Sequence, residues 1–418
     1  MKVLWITNTI FPDPSKEMGV SVPVYGGWMY GLAKKIAVTP GIHLAVATIY
    51  EGKEIKYYNL NNITYYMLPS KSNCYYQKKL EPYWSFVCNE FKPDVVHIHG
   101  TEYAHGLACM RACPSLGYVV SIQGLVGLCS RYYYAGISQW NILKKLTFRD
   151  VLRRDTIYHG KRGFEKRSIN EINYIKGCHH IIGRTGWDRI HVETINPDVK
   201  YHHCNECLRD SFYESPKWDL DKTGRYSIFC SQAMYPIKGL HQVLYAVSLL
   251  MRKFPLIQLR VAGQDVTCYD SLSQKIRLSG YGKILRSIIK ANKLEKVVTF
   301  IGPLKEEDII QEYLKANVFI CPSSIENSPN SVGEAQLLGV PTIGSFVGGI
   351  PDMIEHGETG LLYRFEEVEM LANRIEQIFS NETLARHLSL NGIKASEKRH
   401  DCLRNLNQTL SIYKEVIR

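Results

Sequence analysis

No apolar run in the 418 residues approaches the ~18 that a membrane-spanning helix needs. The opening stretch, MKVLWITNTIFPDP, lacks the apolar length of a secretory leader, because Val3–Ile6 is soon followed by Pro12 and Pro14. The twelve cysteines lack the regular spacing of a disulfide framework. Together these absences set the expectation of a cytoplasmic chain with reduced thiols. There is no internal repeat and no low-complexity tract. No groove-reading or base-stacking motif accompanies the net charge of +11, so a basic nucleic-acid-binding protein has only its charge in its favour. No Asp-x-Asp is placed to hold a metal. One Cys-x-x-Cys, Cys204 to Cys207, follows His202 and His203, and Cys178, His179 and His180 could add ligands. A strand running into a loop accounts for that cluster more simply, so no metal site is expected.

The length suits two α/β domains rather than one core. Short apolar runs alternate with helical stretches, the pattern of a doubly wound sheet. In the first half the expected strands are Lys2–Thr7, Leu44–Thr48, Val95–His99, Tyr118–Ile122, His180–Gly183 and Val199–Cys204. Tyr57–Met67 reads as irregular or β. In the second half they are Tyr226–Ser231, Ile257–Ala262, Val297–Ile301, Val318–Cys321 and Pro341–Ser345. Asp210–Gly224, with Ser215–Pro216, is the expected linker. This places domains at 1–210 and 211–399. The segment Glu369–Arg418 is helical by periodicity.

Charge is uneven. Residues 144–167 carry nine Lys or Arg (144, 145, 149, 153, 154, 161, 162, 166, 167) against the acids 150, 155 and 165. A solvated helical face would account for this. So would contact with anionic lipid or a pyrophosphate-linked acceptor at the inner membrane face. Tyr132, Tyr133 and Tyr134 beside Arg131 could pack or form a sugar platform.

The most informative stretch is Val318–Tyr363, VFICPSSIENSPNSVGEAQLLGVPTIGSFVGGIPDMIEHGETGLLY. A buried strand leads into a loop bearing Glu326. A helix opening near Ser328–Ser331, with Pro329 in its first turn, then carries Glu334. The amides of Asn330, Ser331 and Val332 lie at a helix N-terminus, where unpartnered N–H groups and the dipole favour anions. Carboxylates beside an anion seat suit a nucleotide sugar. On spacing alone, an ordinary βαβ unit with a solvated Glu334 is the favoured reading.

Glu326, Glu334, the following LLGVP and the GGIPDMIEHGETGLLY tail resemble the donor-site signature of retaining glycosyltransferases of family 4. The likeness is nearly continuous over about fifty residues. It implies the GT-B fold, two Rossmann-like domains facing across a cleft, with residues near 400–418 returning to the first domain. It implies that Glu326 contacts the transferred sugar and Glu334 the ribose. Ser231-Gln-Ala-Met-Tyr-Pro-Ile-Lys-Gly239 matches the family's phosphate-gripping stretch at Lys238 but has Gln232 where the family has Arg. Arg184 is a candidate substitute, and a salt bridge to Asp188 is its simpler role. Gly26–Gly27 resembles the family's first glycine-rich loop, and the turn ending at Gly302 resembles the region that reads the base. Pro93–Gly100 resembles the family's fourth strand, placing His99 at a ligand-facing strand end, although a core histidine would look the same. Gln123 stands where the family commonly has a sugar-contacting His. Gln cannot act as a base, which leaves His99, His105 or the leaving phosphate.

The expected activity is metal-independent, retaining transfer of a hexose-type sugar from a nucleoside diphosphate, UDP first among them. The donor is a co-substrate and no cofactor is required. The acceptor would be a saccharide or lipid-linked oligosaccharide. An epimerase or phosphorylase on the same fold, or an inactive relative given Gln123 and Gln232, are the alternatives.

Overall fold

The computed structural model describes residues 1–22, 27–232 and 234–417. The chain forms two compact units. The first comprises Met1–Gly127, Glu165–Arg209 and His400–Arg418; the second comprises Leu128–Phe164 and Asp210–Arg399.

The first unit holds an eight-stranded sheet. Its strands are β1 (Lys2–Thr7), β2 (His43–Tyr50), β3 (Lys56–Leu60), β4 (Ile63–Pro69), β5 (Val95–His99), β6 (Tyr118–Ser121), β7 (His180–Gly183) and β8 (Lys200–His203). Their order is β3-β4-β2-β1-β5-β6-β7-β8. Neighbours are parallel except β3 and β4. Every residue of β1 after Lys2 is buried, as a central strand covered on both faces requires. Tyr57–Met67 falls within the β3–β4 hairpin. Asn61 and Asn62 have φ of +52° and +62°, the two left-handed residues that a two-residue turn needs.

The second unit holds a six-stranded, wholly parallel sheet. Its strands are β9 (Ser227–Cys230), β10 (Gln258–Val261), β11 (Val298–Phe300), β12 (Val318–Cys321), β13 (Thr342–Ser345) and β14 (Leu361–Tyr363). The order is β11-β10-β9-β12-β13-β14. Strand order therefore reverses between β1 and β5 in one sheet and between β9 and β12 in the other. Loops leaving the carboxyl ends of strands at such a switch point diverge, opening the crevice where α/β sheets bind ligands.

Two expectations about organisation are corrected. Leu128–Phe164, expected in the first domain, belongs to the second unit. Asp210–Gly224, expected as a linker, is packed into that unit. Phe212 is fully buried, the Trp218 amide donates to Leu338 O at 2.7 Å, and its indole donates to Ala316 O at 2.8 Å. Serine, proline and charge made this stretch look like a spacer, while its two aromatic residues make it part of the core.

The periodic C-terminal stretch is three helices, Val368–Ser380, Glu382–Arg399 and Cys402–Val416. The last lies in the first unit and buries Tyr413 against the sheet. The Trp5 indole donates to the Tyr413 hydroxyl at 2.8 Å. That hydroxyl bonds His97 Nδ1 at 2.6 Å, and His97 Nε2 bonds Ser121 Oγ at 2.6 Å. Burial pushes the His97 pKa down to about 3, so the ring is neutral and the chain of bonds is satisfied. His97 is thus a core histidine. Tyr413→Phe would orphan two buried groups, each costing ~1–3 kcal/mol. We expect a lower unfolding midpoint and weaker hydrogen-exchange protection in β1 and β5; unchanged protection would show that the network carries no stability.

Candidate active site

Lys238 and Glu326 leave the sheet from β9 and β12, neighbours at the switch point of the second unit. After β9 the chain makes a short turn, Pro236–Lys238, ending at Gly239. After β12 it enters the loop Pro322–Pro329. The Ser324 amide donates to Ile237 O at 2.7 Å, and the Ser345 hydroxyl, ending β13, donates to Ser323 O at 2.5 Å. The Gly349 amide donates to Glu326 O at 3.0 Å. Two glycines permit this closeness. A Cβ on Gly239 (φ +71°) would lie 1.7 Å from Pro322 O, and one on Gly348 (φ +53°) 1.9 Å from Glu326 O.

The loops hold the Lys238 ammonium against Glu326 Oε1, to which it donates. The Ser323 hydroxyl donates to the same oxygen at 3.0 Å. Both charged side chains are less than one-fifth exposed. Burial pulls the Lys238 pKa down, but the Glu326 carboxylate and Tyr235 push harder the other way, and the net shift is upward. Lys238 is therefore a fixed cation. Glu334 is the fifth residue of the helix Asn330–Leu338 and is buried. That helix begins after Pro329, which serves as its N-cap without a side-chain bond. Of the three amides expected to seat an anion, that of Val332 already donates to Pro329 O at 3.0 Å. The seat is thus narrower than expected, and Asn330 and Ser331 head the helix.

Gln232 is exposed. Gly302 has φ +77°, and its carbonyl accepts the Gly263 amide at 2.8 Å. The remaining site residues lie in the first unit. Gly26 falls outside the described residues; Gly27 opens the helix Gly27–Ala37. His99 ends β5 with its ring buried beside Trp5 and His97, at centroid distances of 4.2 and 3.8 Å. Neither of its ring nitrogens has a hydrogen-bond partner among the described residues. Burial, then the nearby His97, Arg184 and His105, hold its pKa far below the usual imidazole range. His105 Nε2 bonds His99 O at 3.0 Å, and burial lowers its pKa to about 4. Both rings are neutral and weakly basic. Among the described residues, Gln123 makes a long contact, Nε2 to Met29 Sδ at 3.7 Å. The simple Arg184–Asp188 bridge is corrected: Asp188 accepts the Arg184 backbone amide at 2.9 Å, while the guanidinium pairs with Glu206.

Among the described residues, no cysteine of the zinc-like cluster joins a group of three or more possible metal ligands. Cys204 and Cys207 contact Asn405, Thr409 and Cys402. Among the described residues, His180, His202 and Glu415 do bring ligand atoms within 4.8 Å of one another. The imidazoles bond each other at 3.0 Å and Glu415 pairs with Lys200, which accounts for the group without an ion.

Residues 213–395 match the family described as glycosyl transferases group 1. The chain carries a group 1 glycosyltransferase domain. N-acetyl-alpha-D-glucosaminyl L-malate synthase of Bacillus anthracis is 30% identical over 150 residues, 34% of this chain and 38% of that protein. The chain spans less than two thirds of the length of such curated relatives. Sucrose-phosphate synthase from Thermosynechococcus elongatus superposes with a TM-score of 0.71 at 16% identity, covering 100% of this chain and 99% of that one. Anabaena HepE, solved in complex with UDP-glucose, gives 0.65 at 15%, covering 98% and 99%. These likenesses establish the GT-B fold class.

The second unit holds a cavity of about 750 Å³ that residue spacing does not reveal. Tyr133, Arg149 and Arg153 line it from the excursion 128–164, and Tyr235, Asp265 and Arg277 from the rest of that unit. Pro236 also borders it, two residues before Lys238. Tyr133 is buried against Phe164, so the tyrosine run packs in part, while Tyr132 is half exposed. The Ser324 hydroxyl donates to Tyr132 O at 3.0 Å, tying the excursion to the Glu326 loop.

The glycine contacts give a controlled comparison. Gly357 (φ +87°) has nothing within 4 Å of an added Cβ. Gly357→Ala should cost only ~1–2 kcal/mol of left-handed strain. Gly239→Ala adds a clash with Pro322 O and should lower the unfolding midpoint clearly further. Equal shifts for the two variants would mean that the loops are not held this tightly.

Proposed function

We propose that the chain is a retaining, family 4-type glycosyltransferase that moves a hexose-type sugar from a nucleoside diphosphate to a saccharide or lipid-linked saccharide acceptor. The observation that carries this reading is the Lys238–Glu326 pair at the switch point of a group 1 glycosyltransferase domain. UDP is the proposed nucleotide, a choice supported by the HepE complex with UDP-glucose. The donor is a co-substrate and no metal is required. The proposed setting is the cytoplasm; among the described residues no helix is long and apolar enough to cross a membrane.

In this reading Lys238 faces the diphosphate as the leaving group gains charge, with the amides of Asn330 and Ser331 as further donors. Glu326, held by Lys238 and Ser323, accepts hydroxyls of the transferred sugar, and Glu334 accepts those of the ribose. The resemblance assigns Gly302 to the base and Gly26–Gly27 to the phosphates. Gln232 supplies a hydrogen bond where a second cation would strengthen the grip. Arg184 reaches phosphate only by sharing its charge with Glu206. His99 and Gln123 contact sugar. Because His99 is weakly basic, the departing phosphate oxygen takes the acceptor proton. The cavity bordered by Pro236 gives a polar acceptor room.

Lys238→Ala should lower kcat by about 10²–10³, the size of losing one electrostatic donor. Glu334→Ala should weaken donor binding by ~1.5–3 kcal/mol. Glu326→Ala should reduce turnover more than affinity for the free nucleotide. Steady-state kinetics and nucleotide titration separate the three; equal loss for all variants in both assays would overturn the assignment. Measuring donor consumption with and without a saccharide acceptor tests the reaction class. Turnover indifferent to acceptor, yielding an epimerised donor, would remove transfer.

A further inference from the structure

Three short helices of the glycosyltransferase unit turn their apolar sides outward. They are Gln139–Lys144, Phe148–Arg153 and Leu272–Arg277. In the first, Trp140 and Leu143 lie three apart on one face, and Trp140 is 65% exposed. In the second, Phe148 and Leu152 lie four apart and are 83% and 72% exposed. The buried residue of that helix is Asp150, whose carboxylate accepts the Gly280 amide at 2.5 Å. In the third, Leu272 and Ile276 lie four apart and are 78% and 71% exposed. The second helix packs against the third, and the first against the helix Gly280–Ala291. Each has helical apolar spacing, yet only the first helix buries one apolar side chain, Ile142; the second buries Asp150 and the third buries none.

Apolar side chains gain free energy by leaving water, so a group of them left exposed marks a docking surface. The charge around it narrows the partner. Lys144, Lys145, Arg153, Arg154, Lys275 and Arg277 lie on or beside these helices. Asp150, the one acid within them, is buried, and nearby Asp155 is paired with Arg149 at 3.0 Å. The Lys144 ammonium lies 4.9 Å from the Trp140 ring centroid. Against a second copy of itself, this surface would set cation against cation. Apolar tips, an interfacial tryptophan and a basic surround match an anionic lipid surface. Helices of six residues, ~9 Å long, can only lie in the interface plane.

We propose that this face docks on an anionic bilayer, with Trp140, Leu143, Phe148, Leu152, Leu272 and Ile276 entering the headgroup region. The charged segment alone suggested attraction; the apolar tips add insertion, and Leu272 and Ile276 come from a stretch far away in sequence. A membrane-borne acceptor would explain the need for docking, and to that extent the inference rests on the proposed function.

The test is flotation of the full chain with phosphatidylcholine vesicles, with and without phosphatidylglycerol, at low and high salt. The parent should float with the anionic vesicles alone. Phe148→Ser with Leu152→Ser, Leu272→Ser and Ile276→Ser should reduce binding at least about tenfold at low salt. Lys144→Gln with Arg153→Gln, Arg154→Gln and Lys275→Gln should weaken binding at low salt to the level of the parent at high salt, removing the salt dependence. All eight positions are surface ones, and circular dichroism should report an unchanged fold. Undiminished flotation of the apolar variant would overturn the proposal. So would a parent that ignores vesicles but forms a dimer, by sedimentation, that the apolar variant lacks. Nucleotide-sugar binding in vesicle-free buffer should be the same for parent and apolar variant. If donor binding is absent yet flotation holds, the docking stands and the proposed reaction falls.

Discussion

The ion pair between Lys238 and Glu326 is the constraint around which the second unit is arranged. The partners are 88 positions apart and meet because β9 and β12 are neighbours at a switch point. Holding them at contact requires three loops to run backbone against backbone. That in turn requires glycine at 239 and 348, where any side chain would strike a carbonyl oxygen. A partly buried ammonium would otherwise lose charge to desolvation; the carboxylate keeps it charged. The Ser323 hydroxyl completes the arrangement by binding the same carboxylate oxygen.

The first unit handles buried polarity differently. Trp5, Tyr413, His97 and Ser121 form a closed chain of hydrogen bonds that fixes the C-terminal helix to β1, β5 and β6. Two positions further along β5, His99 has no such partner for either nitrogen among the described residues. The two histidines share one face of one strand and are both neutral, yet their surroundings separate a fully hydrogen-bonded ring from one at the carboxyl end of the strand. Alternation in the sequence could put both on that face, but it could not tell them apart.

Excursion 128–164 decides more than its length suggests. Its Tyr132 carbonyl accepts from Ser324, its Ala135 carbonyl from His241, and its Asp150 takes the Gly280 amide. These bonds bring Arg149 and Arg153 to the cavity bordered by Pro236. They also leave Phe148 and Leu152 facing water. Had the segment packed with the first unit, as its place in the chain suggested, neither feature would follow.

The sequence alone was enough for what depends on neighbours in the chain. Buried runs such as Lys2–Thr7 and Val318–Cys321 are strands because continuous apolar residues suit a sheet covered on both faces. The helix Asn330–Leu338 ends at Gly339, in the left-handed conformation that closes a helix. The resemblance over Glu326–Tyr363 located the donor-type signature within one continuous stretch. Tertiary structure decided what depends on residues far apart in the chain. It engaged the Val332 amide within its own turn, turned Asp210–Gly224 from a spacer into core, and set the Arg184 guanidinium against Glu206 while its backbone amide bonds the Asp188 carboxylate. It also set which apolar side chains of three short helices stay exposed. Spacing defines a helical face, but only the packing partner determines whether that face turns inward or toward the solvent.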